Sequence, residues 1–274
     1  FADFMELALY HPEHGYYTSG KEKIGKKGDY YTSSDVHPVF GELIARQLEQ
    51  MWQLMGKGRF TVVEMGAGKG WFCYDIINLI RNEFPEFFEE IDYKIVEISR
   101  NLIERQSNTL KGLEDKVSWE SFSEDGFSFE PVVGSFLSNE FVDSLPVHQV
   151  VVEDNCLKEI YVTIKEDKFC EVIDDLSDPV LEDYFAKSKI NLKEGQRAEV
   201  NLKAQGWMKN IPHYLNRGFV ITIDYGHLAE DLYSEQRYRG TLMCYYEHTT
   251  SENPYERVGS QDITSHVNFS SLME

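Results

Sequence analysis

The sequence predicts an α/β protein: a Rossmann-like parallel sheet with helices on both faces, an N-terminal helical cover and an antiparallel β insertion. Three observations predict it. Short β-branched runs alternate with amphipathic stretches between residues 39 and 137, a glycine-rich loop joins the first of those strands to the next helix, and beyond Pro146 the rhythm changes to strand-like runs split by short polar turns. Strands alternating with helices of this length imply right-handed βαβ crossovers and a sheet covered on both sides.

The cover takes residues 1–58. Its first 35 residues are rich in Tyr, His and Gly and show no strong period, whereas Phe40, Leu43, Ile44, Leu48, Met51, Trp52 and Met55 recur at three- and four-residue steps. That spacing predicts an amphipathic helix over Val39–Met55, stopped by Gly56. The core takes residues 59–146. Thr61-Val62-Val63 marks a strand buried on both faces over Arg59–Met65, and Phe72, Ile76, Ile77 and Ile80 mark a helix over Trp71–Phe84 that ends at Pro85. Tyr93–Val96 reads as the second strand, Leu102–Leu110 as a helix, and Val117–Trp119 and Val132–Leu137 as the third and fourth strands. The insertion, residues 147–195, carries Val147–Val152, Leu157–Ile164 and Phe169–Ile173 as an antiparallel meander. Residues 196–274 return to the core with a helix over Ala198–Leu215, a buried strand at Phe219–Ile223 and a further strand within Thr241–Tyr246.

With 274 residues, 42% of them hydrophobic, the chain can bury the core of one large domain with an insertion or of two smaller ones. Its 47 acidic against 27 basic side chains give a formal net charge of -20. Such a field repels polyanions over a Debye length of about 8 Å. Nucleic acid is therefore not expected as a partner and a basic protein segment is, although acidic composition serves solubility equally well. Cys73, Cys156, Cys170 and Cys244 are scattered, as reduced thiols would be, and His11 and His14 lack further ligand spacing, so no metal is expected. No apolar run approaches the ~18 residues of a membrane span. The start at Phe1 lacks both Met and a signal pattern, which suggests a trimmed N-terminus and a bacterial cytoplasmic protein, with the mitochondrial matrix as the eukaryotic counterpart.

Glu64-Met65-Gly66-Ala67-Gly68-Lys69-Gly70 places glycines at alternate positions between a buried strand and a helix, where ligands of open α/β sheets bind. The phosphate-binding loop is excluded because Gly70 stands where Ser or Thr must follow Lys69, and the dinucleotide fingerprint fails at Trp71. S-adenosylmethionine is the favoured ligand, against a nicotinamide cofactor or a purely structural turn. Gly66, Ala67, Gly68 and Gly70 would offer backbone to it, Glu64 is an acid of the kind that precedes such loops in many S-adenosylmethionine-binding proteins, and Glu97 at the second strand's end would accept from both ribose hydroxyls. At the tip of the fourth strand Glu140 and Asp143 stand three apart. They would share a face if a helical turn starts there, and two carboxylates can grip a guanidinium. The plain alternative is that Asp143 caps a turn and Glu140 alone faces the cleft.

Longer matches run through the chain: Phe4-Met5-Glu6-Leu7-Ala8-Leu9-Tyr10-His11-Pro12, Gly28-Asp29-Tyr30-Tyr31-Thr32-Ser33, Asn139-Glu140-Phe141 to Pro146, Ile223-Asp224-Tyr225-Gly226, Arg239-Gly240-Thr241-Leu242, and Gly259-Ser260-Gln261-Asp262-Ile263-Thr264-Ser265-His266-Val267. In these the chain resembles the MidA family of class I S-adenosylmethionine-dependent methyltransferases, whose mitochondrial members are complex I assembly factors acting on an arginine of a complex I subunit. The resemblance implies S-adenosylmethionine as cofactor, S-adenosylhomocysteine as product, and an arginine acceptor on a protein partner such as a respiratory-complex subunit. It implies Tyr31, Thr32 and Ser33 as a cover over the cofactor and Asn139 beside it. Asp224, Tyr225 and Gln261 then line the acceptor side, with His266 or Asp262 taking the proton. His266 as a structural histidine and Asp262 as a cap before Ile263 stay open, as does a non-catalytic assembly factor that keeps the cofactor fold. Family members also run beyond Glu274.

Overall fold

The computed structural model describes residues 1–19, 29, 37–123 and 126–273. In chain order the elements that place the site begin with α1 (Ala2–Tyr10), α2 (Val39–Leu54), β1 (Phe60–Met65), α3 (Trp71–Glu83), α4 (Pro85–Glu90), β2 (Ile91–Val96), α5 (Arg100–Thr109), β3 (Val117–Glu120) and β4 (Val132–Asn139). They continue with β5 (His148–Glu153), β6 (Cys156–Lys165), β7 (Lys168–Asp174), α6 (Val180–Lys187), β8 (Arg197–Val200), α7 (Leu202–Tyr214) and β9 (Leu215–Ile223). The chain forms two compact units, one from residues 18–141 and 209–223, the other from residues 1–17, 142–208 and 224–274.

The first unit is the parallel sheet, in the order β9-β4-β1-β2-β3. Every residue of central β1 is buried, Thr61 and Glu64 included, as in a strand covered on both faces. Leu48 and Trp52 of α2 and Ile76 and Ile80 of α3 pack with Val62 and Ile95 of the sheet into one core. Pro85 does end α3, but it also starts α4, a helix the periodicity gave no sign of. At the first helical position its missing N–H has no intrahelical acceptor to lose.

The second unit holds an antiparallel sheet in the order β8-β5-β6-β7, the meander expected of residues 147–195, and the helix α6 that was not expected. Val150, Leu181, Phe185, Val200, Leu232 and Tyr233 form its core. The helix expected over Ala198–Leu215 is corrected at its start: Arg197–Val200 is a strand paired with β5. Ala and Glu are good helix formers, but propensity is a weak determinant, and two local facts outweigh it. β5 offers an edge that Ala198 and Val200 cover, and the Asn201 side chain accepts the Ala204 N–H (2.8 Å), a cap that sets the helix start at Leu202. Among the described residues no helix is long and apolar enough to cross a membrane.

Candidate functional site

Where β1 ends, Gly66, Gly68 and Gly70 all take positive φ (66°, 54° and 82°), a region that costs an L side chain about 1–2 kcal/mol. A Cβ on Gly66 would stand 3.2 Å from the Phe141 ring, and one on Gly70 would stand 3.3 Å from the Gln106 Cα. Conformation thus favours glycine at all three positions, and space is also tight at Gly66 and Gly70. Gly70 donates to the Ala67 carbonyl (2.8 Å), which closes the turn, and caps α3 without a side chain. The first-turn N–H groups of α3 therefore face the loop without a side-chain acceptor, at the positive end of the helix.

Glu64, in β1, is fully buried, and the Tyr93 hydroxyl donates to it (2.8 Å). Burial pushes its carboxyl up to about 8, against the Tyr93 bond and with help from the charge of Glu97. Glu97 follows β2. Its Oε1 accepts the N–H groups of Ile98 and Ser99 (2.9 Å each), and its Oε2 accepts from Gln106 (3.1 Å). Burial raises this carboxyl too, opposed by those bonds. A carboxylate has roughly four acceptor positions, so Oε2 keeps one for a ligand hydroxyl.

Gln106 is the residue that sequence reasoning passed over. It is fully buried, and its Nε2 donates both to Glu97 and to the Gly68 carbonyl (2.9 Å). Its Oε1 accepts the Trp119 indole N–H (2.9 Å), which can only donate and so fixes the amide's orientation. One side chain of α5 thereby ties together the glycine loop, the acid after β2, and β3. A signal existed: Gln106 stands on the apolar stripe of its helix with Leu102, Ile103 and Leu110, and a polar group at a buried position must be hydrogen-bonded.

At the tip of β4 the Glu140 N–H extends the sheet by donating to the Ile223 carbonyl (2.9 Å). Its φ is 48°, strained for a residue other than glycine. No helical turn starts there, so the expected shared helical face with Asp143 is corrected: the chain makes a turn closed by Leu145 N–H to the Val142 carbonyl (3.2 Å). The cause is Asp224, whose Oδ2 accepts the Val142 and Asp143 N–H groups (2.9 and 3.3 Å) and holds them in that turn. Asn139 is the last residue of β4, paired with Ile223, and is partly buried.

The second unit brings together the other residues singled out from sequence. Asp224 also accepts the Tyr225 N–H (2.8 Å), the Tyr225 carbonyl accepts from Val267 (2.8 Å), and the Asp143 carbonyl accepts from Ser265 (3.0 Å). His266 donates its N–H to Thr241 Oγ1 (3.0 Å), while its ring nitrogens carry no hydrogen bond among the described residues and its ring lies 5.2 Å from that of His227. Burial, then His227 and Arg237, lower its pKa. Asp262 is buried and uses Oδ1 on the Tyr17 hydroxyl (2.7 Å) and the Ile263 N–H (2.9 Å). Gln261 donates to the Asn253 carbonyl (2.9 Å). Tyr31, Thr32 and Ser33 lie outside the described residues.

Comparison with known proteins gives these positions a context. The profile of a family described as "Putative S-adenosyl-L-methionine-dependent methyltransferase" matches residues 43–274. A superfamily member from Burkholderia thailandensis, crystallised with S-adenosylhomocysteine, is 31% identical and superposes with a TM-score of 0.88 over 99% of this chain and 70% of that one. The mitochondrial protein arginine methyltransferase NDUFAF7 of Rattus norvegicus is 27% identical over 300 residues, and its Drosophila melanogaster homologue is 25% identical over 304. These alignments cover 99% and 98% of this chain, which spans 64% of the length of each of those relatives.

Proposed function

Because this chain belongs to that S-adenosyl-L-methionine-dependent methyltransferase family, we propose that it transfers a methyl group from S-adenosylmethionine to an arginine side chain of a protein partner. The observation that carries the reading is Glu140, a carboxylate held on strained backbone at the end of β4, in the same compact unit as the glycine loop and Glu97. Strain of this kind concentrates at functional positions. The protein arginine methyltransferases among the relatives support the acceptor, and the net charge of -20 favours approach of a basic segment. The acceptor sets the place of action, the cytoplasm of a bacterium or the matrix of a mitochondrion.

The residues present fit the cofactor. The backbone of Gly66–Gly70 admits close approach, the uncapped N–H groups of α3 suit a carboxylate, and the open position on Glu97 suits a ribose hydroxyl. When bound, S-adenosylmethionine supplies an electrophilic methyl group. The protein's part is positioning and electrostatics. An arginine with a pKa of roughly 12 or more arrives charged and weakly nucleophilic. Glu140, accepting its N–H groups, holds the guanidinium in place and draws the positive charge away from the attacking nitrogen. The proton released after transfer is assigned to His266 in preference to Asp262, because the ring nitrogens of His266 carry no hydrogen bond among the described residues and its pKa is lowered by partial desolvation and by His227 and Arg237 nearby, whereas Asp262 already accepts two hydrogen bonds.

Calorimetry with S-adenosylmethionine, followed by mass spectrometry of a basic partner, tests the reading through Glu140→Gly. Glycine relieves the positive φ, so the variant is expected to be more stable by about 1 kcal/mol, to bind cofactor as before, and to lose methyl transfer. Undiminished methylation would remove Glu140 from the mechanism. No cofactor binding at millimolar concentration would leave the assembly-factor role. For His266, the acid limb of kcat/KM is expected below the ordinary imidazole value of 6.5 and should vanish in His266→Asn. An unchanged limb in that variant would assign the proton elsewhere.

A further inference from the structure

We propose that the antiparallel unit pairs with a second copy of this chain through the outer edge of β7. The β6–β7 hairpin closes on Glu166 and Asp167, both at positive φ (52° and 58°), a two-residue turn of the I′ kind. Such a turn makes its flanking residues, Lys165 and Lys168, a hydrogen-bonded pair, and the bonding alternates from there. Lys168, Cys170, Val172 and Asp174 therefore direct their N–H and C=O groups to β6. Phe169, Glu171 and Ile173 direct theirs outward. β7 ends its sheet, and no backbone bond reaches that edge among the described residues.

The edge carries charges, Lys168, Glu171 and Asp174, but lacks the other guards against pairing. It carries no proline, and its register with β6 runs without a bulge from Glu159↔Asp174 to Lys165↔Lys168. Its apolar side chains are open to solvent: Phe169 is 40%, Val172 44% and Ile173 38% exposed, with Ile164 of β6 beside them at 66%. β6 also runs past its last partner in β5, since Gln149↔Ile160 ends that ladder, so the hairpin tip is a two-stranded ribbon. Two strands alone are marginal in water, and a third and fourth across the edge would supply what is missing.

What selects a second copy over another extended segment is the self-complementarity of the strand. Set two β7 strands antiparallel about a twofold axis at Glu171. Lys168 then faces Asp174 of the second copy, Phe169 faces Ile173, and Cys170 faces Val172, each twice. The pairs that must exchange backbone bonds in this register, 169 with 173 and 171 with 171, are the ones whose groups point outward, giving about six bonds at two per pair. Cross-strand pairs of opposite charge and of apolar groups are the stabilising kinds. Moving the axis by one residue breaks the match, setting Phe169 against Glu171 or Cys170 against Asp174. The two central Glu171 side chains do not meet as bare charges, because Arg197 takes each in a bidentate pair (3.1 and 2.6 Å) and the Tyr255 hydroxyl donates to it (3.1 Å). A charge of -20 on each copy opposes association, and one strand pair is a small interface, so the affinity expected is micromolar.

Sedimentation velocity of the full chain from about 1 to about 100 µM tests this. A monomer–dimer equilibrium is expected for the wild type. Lys168→Asp and Asp174→Lys should each weaken it about tenfold or more by setting like charges opposite each other, and the double swap should restore it to within a few-fold. Asp174→Lys is the decisive arm, since it lowers the net charge and would strengthen any association limited by general repulsion. Both side chains are exposed, and circular dichroism confirms that the variants fold. A wild type that stays monomeric at the highest concentration, or a dimer indifferent to the swaps, overturns the proposal. The first result would leave the edge to another protein's strand.

Discussion

Gln106→Leu is expected to weaken S-adenosylmethionine binding about 100-fold and to destabilise the protein by about 3 kcal/mol. Leucine keeps most of the volume and removes three hydrogen bonds at once: those to the Gly68 carbonyl, to Glu97 Oε2 and from the Trp119 indole. Glu97 is buried and the Gly68 and Trp119 partners are half-buried, and an orphaned buried polar group costs about 1–3 kcal/mol. The binding loss has a second origin. Without Gln106 nothing ties Gly68 to Glu97, so the ligand must order both groups itself on binding. Because Gln106 reaches no part of the acceptor side, KM for the cofactor should rise while kcat at saturation falls only a few-fold. A merely structural residue would lower the active fraction and leave KM unchanged. Gln106→Glu is an informative companion. It keeps the acceptor for Trp119 but sets a second carboxyl against Glu97 and the Gly68 carbonyl, so binding should fail at high pH and partly recover as the new carboxyl protonates. Calorimetry and denaturant unfolding read both effects, and wild-type affinity in Gln106→Leu would refute the tie.

The parts of this molecule legible in its sequence are those written in local chemistry. The β1–loop–α3 passage is spelled by a β-branched run, three glycines and a 3.6-residue stripe, and the structure uses each as read. The β5–β6 and β6–β7 hairpins are visible because strand-like runs are split by the short polar stretches Glu153-Asp154-Asn155 and Lys165-Glu166-Asp167, of which Asp and Asn favour tight turns. Illegible parts depended on partners distant in sequence. Ala198–Val200 reads as the start of a helix until β5, some 45 residues earlier, offers an edge to Arg197–Val200. Glu140 and Asp143 could share a helical face, or Asp143 could cap a turn, and Asp224 decides against the helix by claiming the Val142 and Asp143 N–H groups from about 80 residues away. Glu97 was expected to keep its carboxylate for a sugar, yet two following N–H groups and Gln106 already hold most of it. In each case the residue types were read correctly and a long-range hydrogen bond decided their use.

The other large effect is expected from pH, through Glu64. Folded, its carboxyl holds a proton up to about 8, and the ordinary value is 4.5. Between those values the folded chain carries a proton that the unfolded chain has released, so stability must fall as pH rises through the window and level off above it. At about 1.4 kcal/mol per pH unit the whole loss is on the order of 5 kcal/mol. Glu64→Gln, which cannot ionise and still accepts from the Tyr93 hydroxyl, should flatten most of that slope and be the more stable protein at about pH 8. Glu97 and Glu199, raised in the same direction by burial, supply the slope that remains. The same proton reports on the cofactor. A sulfonium brought to the glycine loop favours the ionised carboxylate, so binding near neutral pH should expel a fraction of a proton in the wild type and less in Glu64→Gln. Calorimetry in two buffers of different ionisation enthalpy measures that difference. Equal proton release in both proteins would mean that the cation does not sense Glu64, and an unfolding free energy indifferent to pH between about 5 and 8 would mean that the buried carboxyl is already ionised by a partner it does not have here.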